Sequence, residues 1–451
     1  MSVSPGRGAR PTKGERTSRI LPIMMSVSAI RAAFPALDRE LIFLENAGGS
    51  QLPRVVINAM SDYMTNSYVQ LGAPYEVSRR ATAVVDDAHA WATTLMGGTG
   101  AGQTAIGPST TQLVTMLADC YRRVWQPGDE VIICETAHEA NAGPWAKLER
   151  EGINVRTWRV DPTTAQCDLE ELRRMLSRGT RLVAFPHVSN LLGEVVDVAA
   201  ITKLAHQYGA RVMVDGVAYA PHLAVQAREW DVDWYVFSNY KVFGPHAAML
   251  YGRHDAWAEL EGPNHFFIPR DQVYKFELGG ANHESCAGIL ALADYFRELT
   301  SAPAAPADEF LVTQAFDTIR TIEQSLTSQL VNGLKGIPGI RIIGPQGAEG
   351  RVGTVSFLHE SVSPPAICQA TDTAGVAIRF GHMYAYRLCQ ALGIPLETGV
   401  VRASLVHYNS HEDIDRLLDV VEAAVQHWAD PLSVERLFGW HAALFPTGRS
   451  G

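Results

Sequence analysis

No run of about 18 apolar residues occurs in this chain, so no membrane-crossing helix is expected. Cysteine is sparse. The six residues stand at 120, 134, 167, 286, 368 and 389, with no CxxC pair and no zinc-like cluster. That scatter argues against a disulfide framework and a metal centre, and it leads us to expect reduced thiols in a cytoplasmic protein. Basic residues are outnumbered by acidic ones, 38 to 48, and a formal charge of −10 speaks against a general nucleic-acid binder. No internal repeat is found.

At 451 residues and 47% hydrophobic, the chain is large enough for a substantial core divided into more than one lobe. Residues 1–24 are rich in Gly, Pro and Arg, with one acid, Glu15, and without the apolar stretch of a signal peptide. They are expected to be a disordered extension. Met1–Ser4 recurs as Met25–Ser28, so a start at Met24 or Met25 is an alternative.

Short apolar runs alternate with helical periodicity from Thr104 to Gly252. Strands are expected over 104–107, 130–134, 154–158, 181–186, 211–215, 234–238 and 247–251. Helices are expected near 53–70, 76–97, 110–124, 138–151, 168–177 and 197–208. This is the pattern of a doubly wound α/β domain with a mostly parallel sheet. After Asp294 the character changes. Residues 301–307 are Ala/Pro-rich, 308–335 read as one long amphipathic helix, and strands near 340–343, 353–358, 376–379 and 399–405 alternate with helices at 364–374, 382–392 and 410–428. The expected division is 1–27 as extension, 28–300 as large domain (28–50 contributing to the small lobe and active site), 301–430 as a smaller α+β domain, and 431–451 as a tail around Trp440.

Two strand ends carry chemistry. The run Val212–Val214 ends on Asp215, and Trp234–Phe237 ends on Ser238 and delivers Lys241 three residues later. Ligands of open parallel sheets sit at the carboxyl ends of strands. Asp215 and Lys241 are therefore expected to face one ligand. A lysine held away from water forms Schiff bases readily, and a carboxylate opposite it can keep a pyridine nitrogen protonated. That combination is the pattern of a pyridoxal phosphate site.

Further segments occur in order along the chain: Gly107-Pro-Ser109-Thr110-Thr111-Gln112, Glu135-Thr-Ala-His138 with Asn141 and Pro144-Trp145 following, His187-Val-Ser-Asn190 with Gly193 following, Ser238-Asn-Tyr240-Lys241, Glu277-Leu-Gly-Gly280-Ala-Asn282, and Arg402-Ala-Ser with Tyr408-Asn409 following. Over about residues 28–428 these resemble the cysteine-desulfurase-like branch of the class V aminotransferases, fold-type I pyridoxal phosphate enzymes. The resemblance implies an α/β fold with a mostly parallel seven-stranded sheet and a smaller α+β C-terminal domain. It implies that Ser109, Thr110, Thr111, Ser238 and Tyr240 hold the cofactor phosphate, that His138 stacks on the ring, and that Asn190 donates to its phenolic oxygen. Arg402 would clamp the carboxylate of an amino-acid substrate, with Arg379 as a second candidate. Ala47 and Gly48, in a loop of small residues, would border the substrate. A homodimer with active sites at the interface follows by the same resemblance.

The chain also departs from the family pattern. Ala218 stands where a glutamine often supplies a second bond to the ring oxygen. Tyr240 replaces a histidine, and Gly280 replaces a phosphate-binding threonine. Most consequential is Arg379-Phe-Gly-His382-Met-Tyr384: in the Suf-type desulfurases the position of Tyr384 is a cysteine that accepts sulfur as a persulfide. Cys389, five residues on in the expected helix, would point away from Tyr384 at 100° per residue and is read as packing. The expected activity is cleavage of the carbon–sulfur bond of a cysteine derivative by β-elimination. Transamination or epimerisation of an amino acid is the first alternative, ahead of a persulfide-forming desulfurase or a non-catalytic cofactor-binding regulator.

Overall fold

The computed structural model describes residues 25–429. The tail around Trp440 and all but the last three residues of the expected N-terminal extension lie outside the described residues. The first helix, Val27–Ala32, is capped by Ser26, whose hydroxyl accepts the Ala29 N–H. A two-residue strand follows, β1 (Ile42–Phe43).

Seven strands then build the central sheet: β2 (Gly102–Gly107), β3 (Glu130–Cys134), β4 (Asn154–Trp158), β5 (Thr180–Pro186), β6 (Arg211–Asp215), β7 (Trp234–Ser238) and β8 (Ala248–Arg253). Their order is β2-β8-β7-β6-β5-β3-β4. Every pair from β7 across to β4 is parallel. Val212, Met213 and Val214 in β6 are fully buried, as a strand covered by helices on both faces requires. β8 runs antiparallel to both its neighbours. Residues 239–247 are too few for a crossover helix, so the chain can only turn back on itself. Lys241 lies inside that turn.

Helices Thr110–Arg122, Leu169–Met175 and Val198–Gln207 start on the side-chain caps Ser109, Asp168 and Asp197. The helix expected over 138–151 is α-helical only over Glu139–Ala146 and continues as a 3-10 turn, Lys147–Glu151. Pro144 removes one N–H from its ladder. Two helices not anticipated from the sequence, His283–Leu290 and Leu292–Leu299, precede the long helix Glu309–Gly336, which is capped by Asp308.

The remaining strands are β9 (Ile340–Ile343), β10 (Thr354–His359), β11 (Val376–Ala377), β12 (Arg379–Gly381) and β13 (Val400–Ser404). Four of them form an antiparallel sheet in the order β12-β13-β10-β9, and β11 instead pairs with β1 in parallel. The single strand expected over 376–379 is thus divided between two sheets. The helix expected over 382–392 begins only at Tyr386. Met383 and Tyr384 adopt positive φ, 47° and 60°, which a right-handed helix does not admit. One apolar cluster runs from the central sheet through the long helix to β10 and β13, joining the two sheets.

Candidate active site

The carboxyl ends of β5, β6 and β7 lie side by side, with Pro186 paired to Asp215 and Asp215 to Val236. β7 ends on Ser238, and a 3-10 turn, Asn239–Lys241, carries Lys241 over the edge. A cavity there is lined by Asp215, Lys241, His138, Asn190, Ser109, Thr110, Thr111, Ser238, Tyr240 and Ala218. All the cofactor-side residues expected from the sequence therefore meet in one place.

The charges are set by burial. Desolvation, reinforced by the Arg402 guanidinium, lowers the Lys241 amine to about 8, although Asp215 and Glu45 oppose it. Asp215 is pushed up to about 6 by its own burial, against the Val217 N–H, which donates to Oδ1 at 2.9 Å, and against Lys241. His138 is lowered to about 4 by desolvation and by the positive charges of Lys241 and Arg402. Its Nδ1 accepts the Ala140 N–H at 3.0 Å and so caps helix Glu139–Ala146. A ring nitrogen that accepts carries no proton, so His138 is a neutral imidazole with its proton on Nε2.

One end of the cavity suits an anion. The N-terminus of helix Thr110–Arg122 opens onto it, and the Ser109 hydroxyl accepts from Gln112 at 3.2 Å. Thr110 and Ser238 are joined through their hydroxyls at 2.8 Å, which ties the helix start to the end of β7. The Tyr240 ring stacks on His246, centroids 4.8 Å apart. Gly280 sits in a left-handed turn with φ of 88°, beside Gly279 at 79°; this backbone disfavours the threonine of the family pattern.

Beyond Asn190, next to the cavity rather than lining it, two guanidiniums gather. Arg402, in β13, is only 3% exposed. Its Nη1 donates to the Asn190 carbonyl at 3.1 Å, Nη2 is 3.8 Å from Glu45 Oε1, and Nε is buried without a hydrogen-bond partner. Arg379 stands directly opposite Arg402 in the strand register. It holds the Glu45 carboxylate from the side, Nε to Oε1 at 2.9 Å and Nη2 to Oε2 at 3.3 Å. The amides of Ala47 and Gly48 are engaged, on the Ser404 hydroxyl of β13 and on the Glu45 carbonyl within the loop. What Gly48 provides is room: a Cβ there would lie 2.0 Å from Glu45 Oε1. Glu45 was not singled out by the motifs. The signal available was its place directly ahead of Asn46-Ala-Gly-Gly.

Tyr384 lies outside that cavity, beside His138. It is 65% exposed, its ring centroid is 5.2 Å from that of His138, and its carbonyl accepts the Glu139 N–H at 2.9 Å. Because Tyr384 precedes the helix, the helical rotation expected to separate it from Cys389 does not apply. Cys389 is nevertheless fully buried, with its thiol raised to about 11 by desolvation. Asn190 uses one Nδ2 proton on the Met383 carbonyl at 2.8 Å, which anchors the same turn, and has a second to donate.

This donor set fits pyridoxal phosphate. A half-buried amine of lowered pKa would take an aldehyde, a buried carboxylate would pair with a protonated ring nitrogen, a neutral imidazole offers a flat face, and hydroxyls at a helix N-terminus would hold a phosphate.

The sequence matches the family model for class V aminotransferases over residues 42–417. It is 37% identical over 410 residues to the aminotransferase-like protein FGM3 of Gibberella zeae, covering 88% of this chain and 98% of that protein. It is 32% identical over 415 residues to the cysteine desulfurase of Synechococcus elongatus, covering 87% of this chain and 62% of the longer relative. Among solved structures, the apo cysteine desulfurase of Thermococcus onnurineus superposes with a TM-score of 0.80 at 24% identity, over 90% of this chain and all of that one. That likeness establishes the fold.

Proposed function

Since the chain belongs to the class V aminotransferase family, whose members are pyridoxal phosphate enzymes, we propose that it binds this cofactor and cleaves the carbon–sulfur bond of a cysteine derivative by β-elimination. Pyridoxal phosphate, when bound, supplies an electron sink for the pair left at the substrate α-carbon. The residues of the chain do the rest. Lys241 Nζ would hold the cofactor through its aldehyde and, when its amine is free, would take the α-proton of the substrate. Asp215 would keep the ring nitrogen protonated. His138 would offer its neutral ring to the cofactor, and Asn190 has its second Nδ2 proton for the phenolic oxygen. Ser109, Thr110, Thr111, Ser238 and Tyr240 would hold the phosphate. Arg402 offers its Nε and Nη2 edge to the α-carboxylate, the bidentate geometry a guanidinium favours. Overall, the substrate and one water yield pyruvate, ammonium and the free thiol.

The observation that carries this reading over persulfide formation is Tyr384. A phenol oxygen cannot carry sulfur as a cysteine thiolate does in forming a persulfide. The nearest cysteine in the chain, Cys389, is sealed in an apolar cluster with Leu191 and Leu388. In this reading Tyr384 would orient the substrate or give a proton. The test is incubation with cystine and S-substituted cysteines, measuring pyruvate, alanine and enzyme-bound persulfide. Pyruvate in step with released thiol, or with released thiocysteine where cystine is the substrate, supports elimination. Stoichiometric alanine with a persulfide on a cysteine of this chain would restore a desulfurase, and a keto acid retaining the sulfur would make it a transaminase.

A further inference from the structure

We propose that Glu45 sets the charge specificity of the substrate site: it fills one of two guanidinium seats, so that the site admits an amino acid with a single carboxylate and rejects one whose side chain carries a second. The inference rests on the assignment of Arg402 to the substrate α-carboxylate.

Three observations carry it. Arg379 and Arg402 are direct partners across β12 and β13, so their guanidiniums emerge from the same face of the small sheet. Two such groups side by side would accept two carboxylates. Glu45 changes that count. Its carboxylate engages the Nε and Nη2 edge of Arg379 at 2.9 and 3.3 Å. The equivalent edge of Arg402 is left almost untouched, with Nε lacking any partner and Nη2 at 3.8 Å. One seat is closed and one is open.

Glu45 is also held in place rather than merely nearby. Its backbone bridges to Ser404 two residues beyond Arg402 on the same strand. The absence of a side chain at Gly48 leaves the space that the carboxylate occupies. A loop carrying any larger residue at 48 would push the carboxylate off Arg379. Glu45 adjoins the cavity through Arg402, whose Nη2 is 3.8 Å from Glu45 Oε1 and whose Nη1 donates to the carbonyl of the cavity-lining Asn190. A second substrate carboxylate entering here finds Arg379 already neutralised and meets the negative charge of Glu45. Like charges set against each other beside Glu45, whose side chain is itself only 18% exposed, are disfavoured.

The experiment uses the holoenzyme and two substrates of nearly the same shape, S-carboxymethylcysteine and S-carbamoylmethylcysteine, which differ in one charge. Binding is followed by the change in cofactor absorbance, and turnover by pyruvate. The wild type should favour the amide over the acid by at least about tenfold in kcat/KM. Glu45→Gln keeps the volume and removes the charge; it should bring the two substrates to within about threefold, mainly through tighter binding of the acid. Glu45→Gln with Arg379→Gln should restore discrimination against the acid, because the seat released by the first change is removed by the second. An acid-to-amide ratio that is the same in wild type and Glu45→Gln overturns the proposal. Arg402→Ala separates this from failure of the underlying assignment: if that variant binds both substrates as the wild type does, the carboxylate seat itself is misplaced.

Discussion

Arg402→Ala is the perturbation with the sharpest consequence. The guanidinium is 3% exposed and is held by the Asn190 carbonyl at 3.1 Å, so its open edge is already in position before any substrate arrives. Deleting it leaves a substrate carboxylate desolvated and unpaired. Loss of one partner from a buried charge pair costs about 2–5 kcal/mol, which converts to roughly 30- to 5,000-fold in amino-acid affinity. A second effect comes from the same charge. Arg402 helps lower both Lys241 and His138, so without it the lysine should titrate above about 8. The assay is a titration of cofactor-loaded protein with amino acid, followed by absorbance, together with the pH profile of cofactor uptake. The variant should take up the cofactor, with its pH midpoint displaced upward, and bind amino acids far more weakly. Unchanged amino-acid affinity alongside the displaced midpoint would refute the reasoning, since Arg402 would then act only on the charge of Lys241.

Borohydride treatment of the cofactor-loaded protein should leave a pyridoxyl adduct on Lys241 in a peptide map, and Lys241→Ala should abolish it. Cofactor uptake by the apoprotein should rise with pH and level off above about 8, because the amine reacts only when unprotonated and its folded-state pKa is lowered to that value; a profile still climbing at pH 10 would place the amine in water. Gly48→Ala should displace the Glu45 carboxylate, because its Cβ would lie 2.0 Å from Glu45 Oε1, so Arg379 should lose its partner while the thermal midpoint falls by the equivalent of no more than about 1 kcal/mol, the usual worth of an exposed ion pair. Alkylation of the native protein should spare the buried Cys389, whereas Tyr384→Cys should react at position 384; labelling of Cys389 at a comparable rate would contradict the packing.

The cofactor end of the site was legible because its parts lie within short stretches of chain. Asp215 and Ser238 terminate apolar runs, and Lys241 follows at fixed spacing. Ser109 begins a helix after a strand. A strand that ends on a polar residue exposes that residue at the sheet edge whatever the rest of the fold does. The neutral tautomer of His138 was not legible, because it depends on the Ala140 amide that its Nδ1 accepts. The turn at Met383 and Tyr384 was misread as helix. The apolar spacing of Leu388, Cys389 and Leu392 is helical, but it extends only from Tyr386.

The sequence alone determined the alternation of strand and helix and the residues placed at the strand ends, which follow from local periodicity and covalent spacing. That Tyr384 stands where a thiol is expected is what the family resemblance implies. Only the tertiary structure decided which charges meet. Glu45 and Arg379 are 334 positions apart. They are joined because β1 pairs with β11 and β12 takes a register that sets Arg379 against Arg402. Those pairings depend on the burial of a shared core, and a shift of one residue in β12 would turn Arg379 to the opposite face. No local pattern carries that information, because an ion pair is specified by the packing of the elements that bear it.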